Sequence, residues 1–363
     1  MSLKISFIVS DANDSLGSYR IWVRDLSKTL KELGHDIVVH SPNCNSNIEK
    51  GLLSIVKMNG NTIHDEYFQN FNDSDVLILG KCSYKNAGYI RKIFPNKVIG
   101  AINPPCDYYD EAIDFLIVGS PEEYCSLGFY ENIFMYPLIE REFENIKIKK
   151  HKQQDDDRKL RICFHGHYPH LFKFEPFLKD AINEIAKSTP VELNIITGDP
   201  EYLWHAGRPG ENVSIVMHKY DLKTISNLIL KNDIGVVPNV SDIRLFVNEI
   251  ATITSSDYGL YNTDYFLRFK NKTNGGRAYV FYQHGIPVIH DLSPSNFLFM
   301  GLTGEVSCAH DKHSWIKEIK KLSNYKERNR LAKINYDVFK REYSPHKYGK
   351  LFIEFLNSLK IGK

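Results

Sequence analysis

The 363-residue sequence has little of several things that would assign a class at once. Its six cysteines, Cys44, Cys82, Cys106, Cys125, Cys163 and Cys308, form no CxxC pair, which excludes zinc-ribbon and thioredoxin-like spacings. They read as free thiols of a reducing compartment. No apolar run approaches the ~20 residues of a membrane helix, and no basic-then-apolar leader precedes the first strand pattern, so a cytoplasmic protein is expected. Neither half carries a GxGxxG turn after its first strand, which argues against a dehydrogenase. Charge of one sign is also scarce: 46 Lys and Arg against 44 Asp and Glu leave +2. With no basic stripe interleaved with aromatics, no nucleic-acid partner is expected. The triplet Asp155, Asp156, Asp157 lies in a charged run rather than at the end of an apolar strand, so no metal is expected either.

What is present is a globular composition, 42% hydrophobic and 25% charged, on a length that favours two domains. KISFIV (Lys4–Val9) is a strand pattern followed by the turn residues DANDSLGS. Ile21, Trp22, Leu26, Leu30 and Leu33 recur at helical spacing before Gly34, and DIVVHS (Asp36–Ser41) is a second strand. Further strand patterns lie at Asp75–Lys81, Lys97–Asn103, Asp114–Ser120 and Asn132–Ile139. Residues 1–140 thus read as a doubly wound Rossmann-like domain with a parallel sheet.

Residues 141–158 form a charged linker, and the alternation then restarts. LRICFHGHY (Leu160–Tyr168), a helix over Pro176–Ser188, the strands Val191–Asp199 and Asn212–His218, a helix over Asp221–Lys231 and the strand Asp233–Asn239 make residues 159–343 a second Rossmann-like domain. A cleft is expected between the two, where the C-terminal strand ends meet. A polar, tyrosine-bearing segment, Val240–Lys270, interrupts the second pattern, and residues 344–363 end in a helix whose apolar face (Leu351, Phe352, Phe355, Leu356, Leu359) must dock.

The stretch RFKNKTNGGRAYVFYQHGIPVIHD (Arg268–Asp291) carries the most chemistry. Lys272, Asn274, Gly275, Gly276 and Arg277 form a cationic glycine turn opening a helix, Gly285 ends that helix, and IPVI is a buried strand. Helix N-termini present free N–H groups and partial positive charge, so this turn suits a diphosphate.

These motifs resemble the GT-B class of nucleotide-sugar glycosyltransferases, and within it the retaining family 4 type. ICFHG matches that family's opening strand of the second domain, and Lys272, Asn274, Arg277, Gly285, Pro287, Val288 and Ile289 fit its K-x-x-N-R…G-x-P-V-I segment with one extra glycine before the arginine. The resemblance implies two Rossmann-like domains and a C-terminal helix crossing back to the first. It implies a nucleoside-diphosphate sugar donor, for example a UDP-sugar, and a glycan or glycolipid acceptor. Donor diphosphate contacts fall on Lys272, Asn274, Gly275, Gly276, Arg277, Lys173 and Gly17, and nucleoside contacts on Gly166, His167, Thr197, Gly198, His218, Lys219 and Tyr220. The family's paired glutamates fall here at Lys272 and Val280, and His165, His167, His170 and Lys173 stand where its usual cations lie.

Arg277, Lys272 and the glycine turn would stabilise the departing diphosphate without a metal cofactor. Asp11, Asp14 and Asp107 follow strand ends of the first domain and are candidate acid/base or sugar-hydroxyl contacts. Tyr19, Arg20 and Arg24 are candidates to meet an acceptor or an anionic surface, while Trp22 is expected in the core. Peripheral membrane contact through Lys and Arg of the first domain's helices is the membrane association left open. Two other functions share this architecture: a nucleotide-sugar 2-epimerase, and a non-catalytic sugar-nucleotide binder.

Overall fold

The computed structural model describes residues 2–59, 62–63, 65–80, 83–105, 108–153, 159–204, 206–239, 263–264, 269–270 and 274–359. It divides into two compact units, Met1–Arg141 with Tyr343–Lys363, and Glu142–Glu342.

The first unit is built on seven parallel strands: β1 (Lys4–Ile8), β2 (Asp36–Ser41), β3 (Leu53–Ile55), β4 (Val76–Leu79), β5 (Val98–Ile102), β6 (Phe115–Val118) and β7 (Ile133–Met135), in the order β7-β6-β5-β4-β1-β2-β3. The short strand β3 lies outside the expected set. Both faces of the sheet are covered, as the near-continuous apolar strands require. Val76 and Ile78 of β4 join one buried cluster with Phe7, Trp22, Leu26 and Leu30, while Leu77 and Leu79 join the other with Ile90, Ile99 and Leu116. Trp22 is in the core as expected, its Nε1 donating to the Tyr136 carbonyl at 3.1 Å.

The first helix departs from a plain α-helix. Gly17–Tyr19 and Leu26–Glu32 are α-helical, but Arg20–Asp25 between them is π-helical and wholly buried. The wide turn coincides with an ion-pair network: Arg20 forks onto Glu140 at 2.8 and 2.9 Å, and Arg24 pairs with Asp14 and Asp25 at 3.1 and 2.8 Å. Arg20 and Arg24 are therefore internal, which corrects the expectation that they face an acceptor or an anionic surface.

The last helix, Pro345–Ser358, belongs to this first unit. Phe352 and Leu356 lie in its core, with Phe352 beside Phe115 and Phe134 at ring separations of 6.1 and 5.1 Å. Gly349 permits the approach: a Cβ there would stand 2.6 Å from Thr29 Cγ2.

The second unit has five parallel strands, β8 (Leu160–His165), β9 (Val191–Thr197), β10 (Val213–Lys219), β11 (Ile234–Val237) and β12 (Val288–His290), in the order β10-β9-β8-β11-β12. The order reverses at β8, the switch point where α/β sheets bind ligands beyond their C-terminal strand ends. Its core joins Ile162, Phe164, Leu193 and Ile289 to Ile182, Trp315 and Ile319 of the covering helices.

The charged run expected as a solvated linker is held down over its described part. Arg141 pairs with Glu32 at 2.9 Å in the first unit. In the second, Lys149 bonds the Asn232 carbonyl, His151 Nε2 donates to the Gly285 carbonyl at 3.0 Å, and the His151 N–H donates to Asn329 Oδ1 at 2.9 Å. Asp155, Asp156 and Asp157 lie outside the described residues.

Phe352→Ala should destabilise the first unit by about 3–5 kcal/mol, the cost of emptying a buried aromatic site. Urea denaturation followed by tryptophan fluorescence measures it, and an unchanged midpoint would show that the helix does not support this core.

Candidate functional site

Arg277 enters the second unit on the helix Gly276–Gln283, whose seat is set by two glycines. A Cβ on Gly235 of β11 would meet the Phe281 ring at 2.7 Å, so the missing side chain lets the helix rest directly on the strand. At the helix start, a Cβ on Gly275 would meet the Tyr279 ring at 2.6 Å. Gly285 ends the helix with φ +67, a left-handed conformation that other residues adopt at a cost.

With the helix so placed, Arg277 lies beside the ends of β8 and β11. Its Nη2 donates to Asn239 Oδ1 at 2.7 Å, and its Cζ is 5.5 Å from the Phe164 ring centroid. A Cβ on Gly166 would come within 3.2 Å of Arg277 Cδ, which gives this expected nucleoside contact a steric role beside the arginine. Asn239 is fully buried and its backbone N–H donates to Asp291 Oδ2 at 2.6 Å. Asn239 and Asp291 escaped the sequence reading, although both stand just past apolar strands, the position from which they could have been found.

The histidines around this frame are neutral. His165 Nε2 donates to the Arg277 carbonyl at 2.9 Å, and burial pushes its pKa down to about 4. His165 is thus a fixed neutral donor rather than a protonated contact. His284 donates from Nδ1 to the Val280 carbonyl at 2.6 Å and accepts from Ser226 Oγ at Nε2. Burial also lowers His284, His290 and His151 to about 4.

The remaining expected residues divide. Thr197 is buried at the end of β9, and its carbonyl accepts the Tyr220 N–H at 2.7 Å, so Thr197 and Gly198 at one strand end lie beside Lys219 and Tyr220 at the next. His218 commits Nε2 to Asn194 Oδ1 at 2.9 Å. His167 is exposed at the start of the 3-10 helix Tyr168–Phe174, which buries Lys173. Asn274 Oδ1 accepts the Gly276 N–H at 3.2 Å, bracing the turn. Val280, where the family has a glutamate, is buried in the helix. Lys272 and Asp107 lie outside the described residues.

In the first unit, a cavity of about 150 Å³ opens past β1, where Gly17 begins the first helix. Val9, Leu16, Val23 and Ile102 form its apolar walls, and Ser10, Asp11, Ser18 and Tyr19 its polar ones. Asp11 accepts from Asn13 Nδ2 at 3.4 Å through Oδ2, while its buried Oδ1 has no hydrogen-bond partner among the described residues. Asp14 is different: Ser46 Oγ and the Asn47 N–H each donate to it at 2.8 Å, and Arg24 pairs with it. Those contacts make Asp14 a structural carboxylate, a correction to its place among acid/base candidates.

Among the described residues no group of three or more His, Cys, Asp or Glu side chains is placed to hold a metal ion, and no helix is long and apolar enough to cross a membrane.

No protein-family model matches the chain, and no curated protein does. Solved structures do. A glycosyltransferase from Rickettsia africae ESF-5 is 12% identical with a TM-score of 0.62, covering 98% of this chain and 98% of its own. Anabaena HepE in complex with UDP is 10% identical with a TM-score of 0.60, covering 98% and 100%. A putative UDP-N-acetylglucosamine 2-epimerase from Listeria monocytogenes is 12% identical with a TM-score of 0.52, covering 99% and 96%. The fold is GT-B.

Four rings of the second unit, His151, His165, His284 and His290, have folded pKa values below the ordinary 6.5. Between that value and about 4 the unfolded chain binds more protons, so this contribution to stability is complete above the window and falls as pH drops through it. Urea midpoints of the second unit should decline from about pH 6.5 towards 4, and imidazole NMR should show the four rings still neutral at about pH 5. Rings that protonate near pH 6.5 would refute the assignment.

Proposed function

We propose that this chain is a glycosyltransferase that moves a sugar from a nucleoside-diphosphate sugar to a glycan or glycolipid acceptor. The observation that carries the reading is Arg277, seated at the strand ends of the second unit and oriented by Asn239 and Phe164. As the anomeric carbon–phosphate oxygen bond breaks, its electron pair passes to the diphosphate. A fixed guanidinium at that position stabilises the growing charge. Lys272, outside the described residues, is proposed from the sequence for the same task, so the reading assigns leaving-group stabilisation to side chains and needs no metal. Gly166, Thr197, Gly198, Lys219 and Tyr220 are proposed to receive the nucleoside. The complex of HepE with UDP makes UDP-sugars the first donors to test.

The acceptor is proposed to bind in the first unit, at the cavity past β1. Its hydroxyl oxygen forms the new bond to the anomeric carbon, and its proton goes to the leaving phosphate oxygen if configuration is retained. If configuration inverts, the proton goes to Asp11, whose Oδ1 has no partner among the described residues. The resemblance to family 4 favours retention. The cytoplasm is the proposed compartment.

A 2-epimerase is the second reading, supported by the Listeria neighbour. It needs the same donor and no acceptor, so the cavity at Asp11 favours transfer. An epimerised sugar nucleotide formed from donor alone would reverse that choice. A binder without turnover would show neither transfer nor donor hydrolysis.

The purified protein should show a thermal shift with one of UDP, GDP, dTDP or ADP. A ligand at a hundred times its dissociation constant adds about 2.7 kcal/mol. Arg277→Ala should weaken that binding roughly tenfold to a hundredfold, as loss of a charged hydrogen-bond donor implies. Unchanged affinity in the variant would remove Arg277 from the donor site.

A further inference from the structure

Asn239 stands two residues past β11 with its side chain fully buried. The orientation of its carboxamide follows from its neighbour. A guanidinium only donates, so the atom 2.7 Å from Arg277 Nη2 is Oδ1, and Nδ2 is on the other side of the amide carbon. Turning the group over would set donor against donor. Nor is the residue free to move away, because its backbone N–H is held by Asp291 Oδ2 at 2.6 Å. Asp291 is buried in turn: its own N–H donates to the Val237 carbonyl, and its carbonyl accepts Asn296 Nδ2 at 2.9 Å.

Nδ2 of Asn239 therefore has a set position, yet among the described residues it has no acceptor within hydrogen-bond distance. A fully buried donor without an acceptor is a net cost to a fold. Two hydroxyls share the condition: Thr197 Oγ1 at the end of β9, and Ser293 Oγ shortly past β12, both buried and unpartnered among the described residues. All three lie at or just past C-terminal strand ends, the side on which α/β sheets bind ligands.

We infer that Asn239 is a further ligand-binding residue of the donor site, its Nδ2 donating to an oxygen of the same diphosphate that Arg277 holds. This rests on the donor-site reading above and adds to it a neutral donor fixed beside the charged one. Arg277 provides the charge, and Asn239 provides a direction that a lone guanidinium does not impose. The pairing also gives Asn239 a double task, orienting Arg277 through Oδ1 and the ligand through Nδ2.

Two substitutions, one of them also made beside Arg277→Ala, separate the tasks. Asn239→Asp is nearly isosteric and keeps an acceptor for Arg277, but replaces the free donor by an acceptor and neutralises the guanidinium. Asn239→Ala removes the donor together with the acceptor that orients Arg277, and leaves Arg277 charged; made in the Arg277→Ala background it reads the direct contact alone. Isothermal titration of wild-type and both variants with UDP, GDP, dTDP and ADP, and with uridine as a control lacking phosphate, tests the assignment. The expected result is binding weakened about tenfold in Asn239→Ala and about a hundredfold in Asn239→Asp for the diphosphate the wild type binds, with any uridine affinity unchanged. If the wild type binds a diphosphate and Asn239→Ala binds it equally well, or adds no loss when combined with Arg277→Ala, Asn239 makes no direct contact with the ligand, and the inference is overturned while the donor site stands. If Asn239→Ala does not fold, undiminished binding by Asn239→Asp overturns it. Wild-type protein that binds none of the four diphosphates overturns both readings.

Discussion

The absence of a side chain at Gly235 underlies the whole second unit's strand-end chemistry. Phe281 occupies the space where a Cβ would be, so the helix Gly276–Gln283 lies against β11 at a separation no other residue allows. Close packing of a rigid ring on a rigid strand leaves the helix little freedom to slide. That seat delivers Arg277 to Asn239 and Phe164, and the His165 contact to its carbonyl follows from the same placement. A helix lifted by one methyl group would break all three contacts together.

Neutral polar groups then hold the frame in a dry interior. His165, His284 and His151 each donate to a backbone carbonyl, of Arg277, Val280 and Gly285 respectively, which ties the helix at its start, along its length and just past its end. Burial keeps these rings uncharged, so positive charge is concentrated on the arginine. The first unit uses the opposite device. There Arg20, Arg24, Asp14 and Glu140 neutralise one another around a π-helical turn, and the cost of burying each charge is met by the partner it touches. Asp25, within that network, is pushed up to about 6 by its burial.

Much of the fold was legible because its signals are local. Apolar runs bounded by turn residues mark every strand of the two large sheets except β3, and Gly34 and Gly285 mark helix ends where φ is positive. The glycine turn, the helix and the strand within Arg268–Asp291 were readable in order for the same reason. The site was legible only in part. Arg277 announces itself by charge and context, whereas Asn239 and Asp291 look like ordinary turn residues. Their roles come from a contact across 38 residues to Arg277 and one across 52 residues from Asn239 to Asp291. Asp14 failed in the reverse direction: it has the residue type and the strand-end position of an acid, but Ser46, Asn47 and Arg24 claim its oxygens.

By itself the sequence determined two parallel α/β units, the place of the cationic helix start and the need of the last helix for an apolar partner, since each follows from periodicity and backbone preference within a short window. Tertiary structure alone decided which polar atoms remain available. Whether a carboxylate or an amide is free depends on what the fold brings within about 3 Å of it, and that is a property of distant segments. Asp14 and Asn239 are alike in sequence context and opposite in state for that reason.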